Sequence, residues 1–218
     1  MKREIIESTD GSHTLFVPEL DEHYHSVHGA IQESMHVFIE AGLRNQEKIE
    51  LNIFEAGFGT GLNALLTLNE ALDNNLKIHF TSIEKYPLSK EEASHLNYAK
   101  LLEKNQKEFT FMHEANWEET VPVNSSFSLE KLKGDLKNIS LTKKYDLIYF
   151  DAFAPEKQPD LWSEEIFQKM YDISAPNGIL VTYCAKGVVR RTMQAVGYTV
   201  ERIPGPPGKR QMLRATKK

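Results

Sequence analysis

The chain has 218 residues, 40% hydrophobic and 26% charged, with a formal net charge of −5. That suits one globular domain, or one domain with an appendage, able to bury a core without staples. The single cysteine, Cys184, excludes a disulfide framework and a cysteine-based zinc site.

Residues 1–13, MKREIIESTDGSH, contain no apolar signal core, and no apolar run reaches membrane length. The expectation is a soluble, cytoplasmic protein without a membrane partner. The stretch 20–43, LDEHYHSVHGAIQESMHVFIEAGL, predicts turns and a helix before the first sheet strand. Residues 1–45 are therefore expected to form an N-terminal appendage over the mouth of a domain spanning 46–218.

IELNIFEAG (49–57) predicts a buried strand, and GLNALLTLNEALDNN (61–75) has apolar residues at a helical period before a polar breaker. KIHFTSIEK (77–85) predicts a strand, and PLSKEEASHLNYAKLLEKN (87–105) a helix opened by proline. Residues 106–126 are expected to be irregular. FSLEKLKGD (127–135) and KYDLIYFDAFAP (144–155) predict strands, with a short or missing connection between 136 and 143. An amphipathic helix is expected over 160–178, a strand over 179–187 and a short helix over 188–197. Two strands, 198–204 and 210–216, follow around GPPGK. Alternating strands and helices imply an α/β fold with a doubly wound parallel sheet, and the final hairpin implies an antiparallel edge.

In such sheets ligands bind beyond the carboxyl ends of the strands. The turn FEAGFGTGLN carries Gly57, Gly59 and Gly61, spaced Gly-x-Gly-x-Gly. The dinucleotide fingerprint is Gly-x-Gly-x-x-Gly. Glu55 would repel a pyrophosphate but suits a cationic group such as the sulfonium or ammonium of S-adenosylmethionine. Glu84 ends the second strand and can accept ribose hydroxyls; Asp135 ends the third and can accept an adenine amino group. Three acids at successive strand ends favour an adenosyl cofactor without phosphates.

Asp151 stops an apolar strand in YFDAFAPEKQPDLW (149–162), where an isolated carboxylate needs a reason. It could accept a proton from an attacking amine or orient it. Phe153 could wall the cleft and stack on a base. The eight histidines show no metal spacing, so no metal is expected. Charge is uneven: residues 1–50 carry ten acids against four Lys/Arg, whereas 186–218 carry nine Lys/Arg against Glu201 alone. The basic end is a candidate phosphate footprint, or else a solvated strand and tail.

The blocks EAGFGTGLN, TSIEKYPL, KGD, FDAFAPEKQPDLW, APNGILVTY, GVVRRTMQAVGYTVER and PGKRQML together resemble the tRNA (5-methylaminomethyl-2-thiouridine) methyltransferase family. That family comprises the MnmC-like methyltransferase domain and its stand-alone MnmD type. DEHYHSVHGAIQESMHVF (21–38) resembles its entry segment. The resemblance implies a Rossmann-like class I methyltransferase with a seven-stranded sheet, S-adenosyl-L-methionine as donor and the wobble uridine of tRNA as acceptor. It places Glu55, Gly57, Gly59, Gly61, Glu84 and Asp135 at cofactor positions and Asp151 at the catalytic one. Tyr24 and Phe153 fall at cleft-lining positions, and Lys186, Arg190, Arg191, Lys209 and Arg210 would meet tRNA. Gln211 stands where the family more often has glutamate. The familiar bifunctional protein continues into a flavin-dependent half; no flavin domain is expected in this chain, which then needs aminomethyl-uridine made by another route or by a separate enzyme. A methyl- or aminopropyl-transferase for a small amine would need the same pocket but no basic end. An RNA-binding domain with a decayed pocket would not need the three acids.

Overall fold

The computed structural model describes residues 2–218. Its centre is an eight-stranded sheet in the order β10 (Thr199–Pro204), β11 (Gln211–Thr216), β9 (Ser174–Thr182), β8 (Tyr145–Phe150), β4 (Glu50–Ala56), β5 (Lys77–Glu84), β7 (Phe127–Lys133), β6 (Thr120–Pro122). A separate three-stranded antiparallel sheet, β1 (Glu4–Glu7), β2 (His13–Val17) and β3 (Glu22–His23), occupies the N-terminal segment where turns were expected. It is followed by α1 (Ala30–Ser34) and a π-helical turn over Met35–Glu40.

Strand β4 (Glu50–Ala56) runs into α2 (Leu62–Asp73), and β5 (Lys77–Glu84) follows. The expected helix over 87–105 is broken into α3 (Lys90–Ser94) and α4 (Tyr98–Leu101). Asn97 is the reason. Its side chain donates to Gly11 O and accepts from His13 N, both at 2.9 Å, which ties the break to the N-terminal sheet. Residues 106–126, expected to be irregular, contain α5 (Gln106–Glu114) and a short strand β6 (Thr120–Pro122). Helix α5 buries only Phe109 and Met112, too short a stripe to register as a period.

Strand β6 pairs antiparallel with β7 (Phe127–Lys133) and makes the sheet eight-stranded where seven strands were expected. Its Pro122 is tolerated because the strand lies at an edge. No helix joins β7 to β8 (Tyr145–Phe150). Helix α6 (Glu164–Ile173) stops earlier than predicted, and β9 (Ser174–Thr182) starts earlier. Ala175 precedes Pro176, which disfavours helix and favours extended backbone. Helix α7 (Gly187–Ala195) leads to the antiparallel hairpin β10 (Thr199–Pro204) and β11 (Gln211–Thr216).

Strands β9, β8, β4, β5 and β7 are mutually parallel. Strand β8 and the later parts of β4 and β5 are buried on both faces, as expected at the centre of a doubly wound sheet. One core holds Leu51, Ile53, Leu65, Leu147 and Tyr149 on the α2 side. The other holds Phe54, Ile148, Phe150, Phe167 and Met193 under α6 and α7. Period-two alternation therefore turns Glu55 toward α2 together with Leu51 and Ile53. Among the described residues no helix is long and apolar enough to cross a membrane.

Candidate active site

A cavity of about 590 Å³ opens at the carboxyl ends of β4, β5, β7 and β8. That is an ordinary size for a small-molecule site. Its floor is the turn between β4 and α2. Gly57 and Gly59 have φ of 101° and 51°, in the region that favours glycine. A Cβ on Gly59 would also stand 3.1 Å from the Tyr24 ring, so the turn and the N-terminal segment touch there.

The turn does not offer its N–H groups to a phosphate. Gly57 N and Phe58 N donate to Ile83 O at 3.0 and 3.1 Å, and Gly61 N donates to Phe58 O at 2.8 Å. Gly59 N donates to the Glu84 carboxylate at 3.0 Å. A phosphate cradle needs such donors free. Four are committed here, one of them to an acid that lines the cavity.

Glu84 also accepts from Tyr86 N at 2.7 Å, so backbone donors fix both its oxygens at the cavity wall. Asp135, also on the wall, accepts from Lys85 Nζ at 2.9 Å and Lys137 N at 3.0 Å. Burial opposes its charge, but these bonds outweigh burial and hold its carboxyl below the usual range. The structure does not bring Glu55 to the cavity wall. Glu55 is buried one layer down, 1% exposed, and accepts from Ser82 Oγ at 2.7 Å. Burial pushes its carboxyl well above the usual value, only partly countered by the Ser82 bond.

Asp151 lines the cavity just past β8. Its Oδ2 accepts from Asn63 Nδ2 at 2.9 Å, and its Oδ1 has no protein partner among the described residues. Burial raises its carboxyl to about 7, against the opposing Asn63 bond. The loop after it is held by its own contacts. Trp162 Nε1 donates to Phe153 O at 2.8 Å, and Tyr183 Oη donates to Ala152 O at 2.9 Å. Phe153 and Tyr24 meet edge to face at 5.0 Å and form an aromatic wall. Burial raises the Tyr24 phenol to about 12, so it stays neutral, with Arg3 Nε donating to its oxygen at 3.1 Å.

The basic residues lie outside the cavity. Lys186 pairs with Glu156. Lys209 pairs with buried Glu33 and sits 4.1 Å from the Tyr183 ring centre. Arg190 and Arg191 lie on α7, where the Arg190 Nε is buried without a partner, and Arg210 is exposed just before β11. Arg214 and Lys217 serve the fold: Arg214 bonds Glu201 and Asn45, and Lys217 bonds the carbonyls of Tyr171 and Ser174.

Sequence reasoning missed Asn63, Ser82, His25 and His113. His25 Nε2 meets Thr60 Oγ1 at 2.8 Å, and His113 Nε2 meets Thr60 O at 3.1 Å, so both rings brace the turn. Burial lowers each to about 4, so both are neutral. Asn63 lay inside the motif already singled out; for the histidines no sequence signal exists, because their contacts cross 35 and 53 residues.

Comparison with known proteins agrees with this geometry. Residues 92–218 match the family model described as S-adenosyl-L-methionine-dependent methyltransferase. A protein of Leptospira borgpetersenii, named tRNA 5-methylaminomethyl-2-thiouridine biosynthesis bifunctional protein MnmC, is 32% identical over 211 residues. The alignment covers 88% of this chain and 32% of that one. The protein of the same name from Burkholderia multivorans is 31% identical over 224 residues, covering 92% and 33%. The chain thus spans about a third of the length of the curated relatives it matches. The crystal structure of MnmC2 from Aquifex aeolicus superposes with a TM-score of 0.81 at 26% identity, covering 100% of this chain and 71% of that one. The sheet is that of a Rossmann-like class I methyltransferase, the cofactor is S-adenosyl-L-methionine, and the chain belongs to the S-adenosyl-L-methionine-dependent methyltransferase family that its residues 92–218 match.

Proposed function

We propose that this methyltransferase methylates the aminomethyl nitrogen on C5 of the wobble uridine in tRNA, giving 5-methylaminomethyl-(2-thio)uridine. The observation that carries the reading is Asp151, half-bonded by Asn63, facing a cavity whose aromatic wall is Tyr24 and Phe153. The names of the Leptospira and Burkholderia relatives supply the acceptor.

The cofactor would be held by the Gly57–Gly61 turn, Glu84 and Asp135. The committed N–H groups and the wall acids fit a ligand that carries donors and positive charge but no phosphate. S-adenosyl-L-methionine supplies an electrophilic methyl group there. The acceptor nitrogen must present a lone pair, so an ammonium has to lose a proton first. Asp151, raised to about 7, is substantially ionised at neutral pH, and its Oδ1 is placed to take that proton or orient the N–H. Tyr24 and Phe153 offer faces and edges to an unstacked base, which RNA chemistry at a base requires. Residues 1–45 would cap the mouth, with Glu19, Leu20, Tyr24 and His25 on the cavity wall, and 46–218 would form the methyltransferase domain. Arg190, Arg191 and Arg210 would meet tRNA phosphates directly; Lys186 and Lys209 would first have to leave Glu156 and Glu33. A tRNA acceptor implies a cytoplasmic site of action and a separate activity that first makes the aminomethyl group.

The test is transfer of labelled methyl from the cofactor. Label should enter tRNA carrying an aminomethyl wobble uridine and not tRNA lacking it. Label entering polyamines, with none in tRNA, would instead make this a small-amine transferase.

A further inference from the structure

Arg3 stands just before β1 and does not line the cavity, yet its side chain is only 6% exposed. Taking a guanidinium out of water is costly unless its bonds are well placed. The N-terminal sheet does not need it as an anchor. Strand β1 pairs with β2 over four residues, and Asn97 already ties the sheet to the break between α3 and α4. What Arg3 reaches is the back of the aromatic wall. Its Nε donates to Tyr24 Oη at 3.1 Å, its Nη1 donates to Glu92 Oε1 at 3.0 Å, and its Nη2 donates to the Tyr86 carbonyl. Glu92 is itself held in place, because Ser89 N donates to its other oxygen at 2.8 Å in the capping box of α3.

These bonds belong to a closed circuit. Tyr86 offers its carbonyl to Arg3 while its N–H donates to Glu84 Oε1 at 2.7 Å. Glu84 Oε2 accepts from Gly59 N at 3.0 Å. Gly59 lies against the Tyr24 ring, where an added Cβ would stand 3.1 Å from it. The Tyr24 hydroxyl then returns the circuit to Arg3. Tyr24, Gly59, Glu84 and Tyr86 line the cavity, and Arg3 joins them from behind the wall.

We propose that Arg3 is a positioning residue for methyl transfer: its guanidinium sets the Tyr24 ring in register with the Gly57–Gly61 turn and Glu84, so that the acceptor wall takes its place from the cofactor's floor. Loss of Arg3 leaves Glu84 with both its backbone donors, so the cofactor side keeps its shape. Tyr24 would lose the bond at the outer end of its ring and keep only Gly59 beneath it and the edge of Phe153, 5.0 Å away. A lysine supplies the charge but not a planar fork that reaches three oxygens at once. The meaning of Tyr24 as acceptor wall rests on the reading proposed above; the link between Arg3 and Tyr24 does not.

A double-mutant cycle tests the assignment. Arg3→Lys keeps the charge, and Tyr24→Phe keeps the ring but removes the hydroxyl. Each should bind S-adenosyl-L-methionine within about threefold of wild type by calorimetry. Each should lower kcat/KM for tRNA by about tenfold, the cost of a misplaced wall. Both changes break the same link, so the double variant should fall no more than about twofold below the weaker single one, and ligand-free melting temperatures should show the same non-additivity. Multiplying losses, about a hundredfold in the double variant, would mean that Arg3 acts apart from Tyr24. A melting temperature lowered with kcat/KM unchanged would make Arg3 merely structural. A loss of cofactor affinity of about tenfold or more in Arg3→Lys would make it part of the cofactor site. Each of these overturns the proposal. If Arg3→Lys does not fold, Tyr24→Phe still decides, since wild-type kcat/KM in that variant removes any role for the bond. A wrong acceptor assignment would show differently, as wild-type protein that leaves tRNA unlabelled while the melting cycle remains non-additive.

Discussion

The acids at the strand ends and the basic residues near the C-terminus form two groups of charge with opposite physical standing. Glu55, Glu84 and Asp151 come from the adjacent strands β4, β5 and β8, neighbours about 4.8 Å apart in the sheet. Their hydrogen bonds come from the backbone or from buried side chains, and two of their carboxyls are displaced upward by burial. The basic residues share a stretch of chain but no common enclosure. Two of the five expected to meet tRNA are paired with acids, and none lines the cavity. Parallel-sheet topology turns the end of a strand into an address in space, whereas a cluster of charge along the chain carries no such address.

The largest effect that distinguishes the two groups should come from Asp151→Ala. We expect kcat to fall by about 10²–10⁴, with cofactor affinity by calorimetry within a few-fold of wild type. Loss of cofactor binding together with turnover would make Asp151 a cofactor ligand. Asn63→Ala should act next most strongly. Its bond favours the ionised form of Asp151, so removing it raises a carboxyl already near 7. The acidic limb of the rate profile should shift to higher pH, with about a tenfold loss at neutral pH that is recovered on the alkaline side. An unshifted limb would remove Asn63 from the control of Asp151.

What was legible beforehand divides along the same line. The strands ending at Glu55, Glu84 and Asp151 and the helix after Gly61 were readable, because long apolar runs and glycine spacing are local. The cavity acids followed from topology. Glu55 was expected beside the other strand-end acids; the period-two turn of β4 and the cover of α2 put it a layer deeper, a depth that local sequence does not carry. The N-terminal sheet, α5 and β6 were not readable: each depends on distant partners, such as Asn97 against Gly11 and His13, or β6 against β7. The pairing of Lys209 with Glu33 spans 176 residues and leaves no local trace.

Glu55 also makes a stability forecast on the acid side of the comparison. Its folded-state value is raised, so above an unfolded value near 4.5 the folded chain holds a proton that the unfolded chain releases. Stability then declines as pH rises, until the folded value is passed. Glu55→Gln has no such proton. Its melting temperature should therefore gain on wild type between about pH 5 and pH 8, by a few degrees for each kcal/mol, with each unit of displacement worth about 1.4 kcal/mol. An equal shift at both pH values would mean that Glu55 is ionised when folded.

The smallest effect is expected on the basic side. Arg190 and Arg210 lack acid partners among the described residues, so neutralising both should raise KM for tRNA a few-fold and leave kcat nearly unchanged. The clearer sign is the salt dependence. Each phosphate contact contributes about 0.7–0.9 to the slope of log affinity against log salt, so the double variant should flatten that slope by about 1.5. Neutralising Lys186 and Lys209 should change the slope less, because their ammonium groups already face Glu156 and Glu33 and a phosphate would have to compete with a carboxylate. If all four substitutions flatten the slope equally, the acid partners exchange freely for phosphate, and the basic end works as one diffuse patch. If Arg190 and Arg210 leave the slope untouched, they belong to a solvated face, and tRNA must be gripped elsewhere. Lys85, Lys137 and Lys157, which line the cavity, are then the cations from which to begin.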